Sequence, residues 1–276
     1  MKKKYTCLFF ILSFFTLTAQ SHRIISLSPE GTELLFELGL ENFLVARTSF
    51  CNFPPETETI PSIGGFDGKT ISSEKILIQK PTFVLLAKGM HQHLIPLFKK
   101  QNIHFYEYNP QSIEEMFTDI KNIGSIFKIE TKAKELISEL QEIIARQEKK
   151  AKQIQLNPKN FYLEIFYQPC ISIGKESFLD KLFSLAHGKN IFGDIKTNYP
   201  QVSEESIILR NPEIIFLFSD RNISLNEVKN RKNWHHIQAV KNNNIIILDA
   251  NLFSRATPRA LRGIEILYQY LYSEQK

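Results

Sequence analysis

Cysteine is scarce, with three in 276 residues, and only Cys51 and Cys170 lie beyond the first apolar run. Two cysteines so far apart make no disulfide framework, so the fold must rest on a packed core and both thiols are expected to be unpaired. Outside the N-terminal run, no segment approaches the roughly 20 consecutive apolar residues of a transmembrane helix, which predicts a soluble mature chain. There is no Gly-x-Ser-x-Gly elbow, Walker loop, Gly-x-Gly-x-x-Gly or His-Glu-x-x-His, so the usual signatures of hydrolases, NTPases, dehydrogenases and zinc proteases are missing. Charge of one sign is not in excess either. The formal +5 falls to about +2 once Lys2, Lys3 and Lys4 are set aside, and the other basic residues are mixed with acids, so nucleic acid is not an expected partner.

Those three lysines precede the apolar run Leu8 to Leu17 and the small polar stretch Thr18-Ala19-Gln20-Ser21. This is the pattern of a secretory signal peptide spanning residues 1–21, cleaved near Ala19 or Ser21. Cys7 has no lipobox before it, so a freely diffusing exported protein is expected. About 255 residues then remain, enough for two lobes of ordinary domain size.

Beyond the signal, Ile24 to Leu27 reads as a buried strand, and Ser28-Pro29 as a helix start, since serine caps free N–H groups and proline suits the first helical position. Strands are predicted at Thr82 to Ala87 and Ile103 to Tyr108, with a helix between them from His91 to Gln101. From about Glu130, the residues Ala133, Leu136, Ile137, Leu140, Ile143 and Ile144 recur at helical spacing without Gly or Pro. They predict one amphipathic helix of roughly 35 Å, bridging residues 130–156. Strand-like sequence resumes at Phe161 to Phe166, and the α/β pattern starts again. An N-terminal lobe over 22–129 and a C-terminal lobe over 157–276 follow.

A repeat supports this division. The stretch from Ser72 through Glu74 to Pro81, followed by Thr-Phe-Val-Leu-Leu, matches the stretch from Ser203 through Glu205 to Pro212, followed by Glu-Ile-Ile-Phe-Leu, 131 positions on. That distance is far outside solenoid periods, so one lobe is built twice. Trp234 to Val240, read as an ordinary helix, and the strand Ile245 to Leu248 echo the 91–108 segment.

Of the histidines, His91 and His93 follow a strand end, where α/β sheets place ligands, and either could coordinate a metal. The plainer alternative is two exposed histidines at a helix start. Phe50, Phe53 and Phe66 fall in loops rich in Pro and Gly, and Tyr199 precedes Pro200. Such aromatics either wall a site for a large apolar ligand or staple the loops down.

Arg23-Ile-Ile-Ser-Leu-Ser-Pro-Glu-Gly-Thr-Glu33, Phe53-Pro-Pro, the Glu74-to-Pro81 unit, Gly174-Lys-Glu-Ser177, Gly188-Lys-Asn-Ile-Phe192, Pro200-Gln-Val-Ser-Glu-Glu205 and Arg255-Ala-Thr-Pro-Arg259 occur in this order. With these motifs the chain resembles the periplasmic solute-binding proteins of the iron-siderophore and cobalamin class, which serve ABC importers. The likeness is greatest to cobalamin-binding members and covers essentially all of the mature chain. The resemblance implies two α/β lobes bridged by one stiff helix (a class III periplasmic binding protein), with little lobe closure and a ligand cleft between the lobes. It further implies a monomer that binds without catalysis, needs no cofactor, and meets an inner-membrane permease and its ATPase from the periplasm. Phe50, Phe66, Tyr199 and Arg255 match ligand-contacting positions, although no tryptophan stands near Ala87, where the family has one. Glu74 and Glu205 match carboxylates that dock on permease arginines. Cobalamin or another corrinoid is the expected ligand. Haem, with His91 or Tyr199 as axial ligand, and ferric siderophores are the alternatives on the same fold. A tetrapyrrole metal chelatase is the alternative from another class.

Overall fold

The computed structural model describes residues 22–65, 70–153, 157–219 and 224–272. The expected signal peptide, Phe66 and the last three residues of the expected bridge lie outside them. The N-terminal lobe runs β1 (Ile24–Ser26), α1 (Pro29–Glu37), β2 (Leu44–Arg47), α2 (Ser73–Ile78), β3 (Phe83–Ala87), α3 (Ile95–Lys100), β4 (His104–Tyr108) and α4 (Ile113–Ile126). Helix α5 (Glu130–Gln153) leads to the second lobe. That lobe runs β5 (Lys159–Glu164), α6 (Phe178–Leu185), β6 (Gly188–Asn190), α7 (Glu204–Arg210), β7 (Ile214–Phe218), α8 (Leu225–Lys229), α9 (Gln238–Lys241), β8 (Ile245–Leu248), α10 (Ala250–Phe253), α11 (Pro258–Arg262) and α12 (Ile264–Tyr272).

The two sheets have one topology, with all strands parallel and the orders β2-β1-β3-β4 and β6-β5-β7-β8. Strands β1, β3 and β7 are buried at every position, as expected where helices cover both faces of a parallel sheet. The offset of the sequence repeat carries β3 onto β7 end to end. It also equates the N-caps: Ser72 Oγ accepts from the Lys75 N–H at 3.3 Å, and Ser203 Oγ from the Ser206 N–H at 3.1 Å. Lys80 and Asn211, each just before the proline, share a left-handed backbone with φ of 47° and 44°.

Each lobe has a private core, one around Leu27, Val84 and Phe98, the other around Tyr162, Phe192 and Trp234. A third core is common to both. It joins Leu34, Phe83 and Ile120 to Phe161, Phe183 and Phe216 through Ala133, Leu136, Ile137 and Leu140 of α5. The predicted bridge is therefore present, packed on α4 on one side and on α6 and α11 on the other. Its approach to α4 is close: a methyl group on Gly124 would lie 2.5 Å from the Ala133 Cβ. Alanine ordinarily favours a helix interior by ~1 kcal/mol over glycine. Here Gly124→Ala is expected to destabilise by about 1–2 kcal/mol through overpacking. A urea midpoint equal to that of the wild type would show that the two helices can part at no cost.

Three boundaries differ from the sequence reading. β5 ends at Glu164 because the Ile165 and Phe166 N–H groups both turn to the Ile171 carbonyl, at 2.9 and 3.2 Å. The helix expected over His91 to Gln101 is a 3-10 turn at Gln92–Leu94 followed by α3. Trp234 to Val240 is likewise split into a 3-10 turn, Trp234–His236, and the short α9, following the left-handed Asn233.

Candidate functional site

Loops at the carboxyl ends of both sheets meet in a cleft, and they carry most of the sequence-predicted ligand residues. A cavity of about 510 Å³ is walled by Pro29, Glu30, Phe50 and Asn52 from one lobe and by Ser219, Ala250, Asn251, Ser254 and Arg255 from the other. Glu30 and Ser254 also border a smaller recess lined by Tyr199, Asn109 and Gln111, so Phe50 and Tyr199 belong to one continuous cleft. Their side chains are open to it, Phe50 being 57% and Tyr199 48% exposed, in contrast to the fully buried core aromatics. Partial burial, with the Glu30 charge adding to it, raises the Tyr199 phenol above its ordinary range.

Two amide pairs cross the cleft. Asn52 Nδ2 donates to Asn251 Oδ1 at 3.2 Å, and Asn198 Nδ2 to Gln111 Oε1 at 3.3 Å. Beneath them lies a stronger connection. The Glu33 carboxylate on α1, 3% exposed, accepts from Arg255 Nη1 at 3.0 Å and from Arg259 Nε and Nη2 at 2.9 and 2.8 Å. Arg255 Nη2 also donates to the Phe50 carbonyl at 3.2 Å, and the Arg259 guanidinium lies 3.6 Å from the centre of the Phe53 ring. Arg255 thus borders the cleft as expected, but its guanidinium mainly joins the lobes and holds the Phe50 loop. Phe53 is a staple of the kind the sequence left open. Arg262 adds an outer tie, bidentate to both Glu37 and Glu139.

Glu30 carries the cleft's carboxylate, with Ser28 Oγ donating to it at 3.0 Å and no cation paired to it among the described residues. It stands in the first turn of α1, a place where an acid is common and signals no ligand by itself. Phe166, 42% exposed, lies just beyond β5 and not within the strand predicted over Phe161 to Phe166.

His91 requires a correction. It is fully buried, and its Nδ1 accepts from the Ala87 N–H at 3.2 Å, so the ring braces the turn after β3. It is neither an exposed histidine nor presented as an axial ligand. His235 and His236 are exposed, and among the described residues no three His, Cys, Asp or Glu side chains gather in a metal-binding group. Cys51 and Cys170 are free and buried in different lobes, in line with the expectation of unpaired thiols.

The paired glutamates occupy like positions at the starts of α2 and α7, and both are exposed. Ser72 Oγ donates to Glu74 Oε2 at 2.7 Å, which holds the Glu74 carboxyl below its ordinary range. The neighbour Glu204 is used internally, accepting from Trp234 Nε1 at 2.7 Å and from the Tyr167 hydroxyl at 3.3 Å. Of the two adjacent acids, Glu205 is the one left facing out.

A larger depression of about 840 Å³ lies on the flank of the C-terminal lobe alone. Several of its polar side chains are already matched: Asn190 Nδ2 donates to Asp180 Oδ1 at 2.8 Å, and Arg210 is bidentate to Asp194 at 2.7 and 2.9 Å. It has none of the exposed aromatics of the inter-lobe cleft.

The periplasmic binding protein family matches residues 24–252. The vitamin B12-binding protein of Photorhabdus laumondii is 28% identical over 266 residues, covering 96% of this chain and 93% of its own. Among solved structures, a possible iron-binding (periplasmic solute-binding) protein from Staphylococcus epidermidis superposes with a TM-score of 0.81 at 27% identity, covering 91% of this chain and 99% of that one. S. aureus IsdE complexed with heme superposes with a TM-score of 0.76 at 25% identity, over 91% and 99% of the two chains. Among the described residues, no helix is long and apolar enough to cross a membrane.

Proposed function

This chain belongs to the periplasmic binding protein family, and from that premise we propose that it captures cobalamin or a related corrinoid in the periplasm for an inner-membrane ABC permease. Substrate-binding proteins of such importers work with a permease and its ATPase. Glu74 and Glu205, one per lobe, are the docking points in this reading.

The observation that carries the ligand assignment is that open aromatics share the cleft with a carboxylate that has no cation paired to it among the described residues. Phe50 and Tyr199 offer flat apolar surface to one cleft. Arg255 and Arg259 are both spent on Glu33, and the carboxylate that remains is that of Glu30. A polyanionic ferric siderophore or the propionates of haem would meet this carboxylate, and like charges brought together on burial are costly. A corrinoid with amide side chains suits the same walls. The S. aureus IsdE structure with heme, at 25% identity, keeps haem as the second reading. A corrinoid exceeds the roughly 300–1,000 Å³ of drug-sized sites. Its entry would have to part the Asn52–Asn251 and Gln111–Asn198 pairs, and neutral hydrogen bonds of that kind contribute only about 1 kcal/mol each.

Calorimetry on the mature protein tests the assignment. Cobalamin is expected to bind at micromolar or lower Kd, and Phe50→Ala to weaken it by roughly 10-fold through lost apolar burial. No heat with cobalamin, together with a Soret shift on haem addition that Tyr199→Phe abolishes, would replace the corrinoid by haem.

A further inference from the structure

We propose that Ile78 and Leu209 are the apolar halves of two equivalent docking patches, each seating beside a basic side chain on one of two identical membrane subunits. The proposal rests on the docking reading of Glu74 and Glu205 and names what the partner must offer next to its cations. These two residues are the most exposed large hydrophobics described, 73% and 85% open to solvent. A single exposed leucine needs no explanation. Here, however, the exposure recurs at one position of the internal repeat, with 131 residues separating both Glu74 from Glu205 and Ile78 from Leu209.

The local pattern is the same in both lobes. In each short helix the glutamate is exposed, the isoleucine two residues on (Ile76 or Ile207) is fully buried, and the apolar residue four positions after the glutamate is exposed again. Positions i and i+4 lie on one helical face, so each glutamate is joined by its own apolar neighbour. Ile76 and Ile207 anchor the helices to their lobes, and the outer pair is spare to that task.

The partner follows from charge and repetition. Each patch presents a carboxylate beside an aliphatic side chain, and its complement is a guanidinium or ammonium beside an apolar hollow. Two like patches on lobes of one topology call for the complement twice, as two copies of one subunit provide. A second copy of this chain would set carboxylate against carboxylate, and an anionic membrane surface would repel both.

The test uses the mature protein and its cognate permease–ATPase complex, held in nanodiscs, with biolayer interferometry at several salt concentrations. Ile78→Ser and Leu209→Ser are each expected to weaken binding by roughly 10-fold while leaving its salt dependence intact. Glu74→Gln and Glu205→Gln should flatten that dependence. Wild-type affinity in both serine variants, with loss in both glutamine variants, overturns the apolar inference and spares the docking reading. No binding by the wild type, or no change in any of the four variants, sinks the docking reading and this inference with it. Equal binding to protein-free nanodiscs, or a doubled mass in light scattering that Leu209→Ser abolishes, would assign the surface to lipid or to self-association and refute the proposal. The changed side chains are exposed, so unaltered thermal melts are expected.

Discussion

Replacing Glu33 by alanine is expected to lower the unfolding free energy by about 3 kcal/mol, toward the lower end of the cost of breaking a buried ion pair. The carboxylate is almost wholly buried and faces two guanidinium groups, those of Arg255 and Arg259, whose side chains are 10% and 19% exposed. Removing it leaves two positive charges crowded in a poorly solvated place. Both have fallback partners, Arg255 in the Phe50 carbonyl and Asn251, Arg259 in the Asn251 carbonyl and the Phe53 ring. For that reason the estimate stays near 3 kcal/mol and not higher. Because these residues lie more than 220 positions apart and join α1 to the segment around α11, the loss falls on the contact between lobes. Arg255 also steadies Phe50, so ligand affinity should decline along with stability. Urea unfolding measures the first effect as a shift in midpoint with an unchanged slope. A loss below about 1 kcal/mol would mean that the desolvation of the three side chains already cancels their attraction in the native protein.

How far the sequence discloses such a site depends on the range of the forces involved. Local regularities are legible. The spacing from Ala133 to Leu140 marks α5 as an amphipathic bridge, Ser28-Pro29 marks the start of α1, and the offset between Glu74 and Glu205 predicts that β3 and β7 are the same strand of two like sheets. What depends on tertiary partners is not. Nothing near His91 says that its ring turns inward to the Ala87 N–H. Glu204 and Glu205 are adjacent and chemically identical, and only the approach of Trp234 and Tyr167 makes one structural and leaves the other outside. Arg255 could be placed at the cleft by its motif, but its main partner Glu33 sits in another lobe, beyond any spacing rule. Glu33 did carry a faint signal: it stands directly before Leu34 and Leu35 on a helix whose neighbouring positions are buried, and an acid there needs a cation.

If Glu74 and Glu205 are the docking points proposed above, reversing both charges, Glu74→Arg with Glu205→Arg, is expected to abolish uptake while leaving ligand affinity as it was. Each glutamate stands at an exposed first turn, away from the residues that wall the cleft, so neither change touches the ligand. Removing one member of a close interfacial charge pair costs about 2–5 kcal/mol, and reversal adds repulsion to that loss. One lobe changed alone should therefore weaken docking by at least about 30-fold. The two lobes are separate contacts, so the double variant should approach the sum of the single losses. Ser72 matters at one of the points, since its hydroxyl keeps the Glu74 carboxyl ionised below the usual range and so keeps that contact charged as the surroundings acidify. On the docking reading, the α5 bridge has a purpose as well. A body whose lobes hold their relative position can offer both carboxylates at the spacing of two subunits before contact, and little is lost in ordering them on arrival. Calorimetry on the double variant beside labelled-cobalamin uptake in cells separates the outcomes. Uptake that survives both reversals would end the assignment of Glu74 and Glu205 as docking points, whatever the cleft proves to hold.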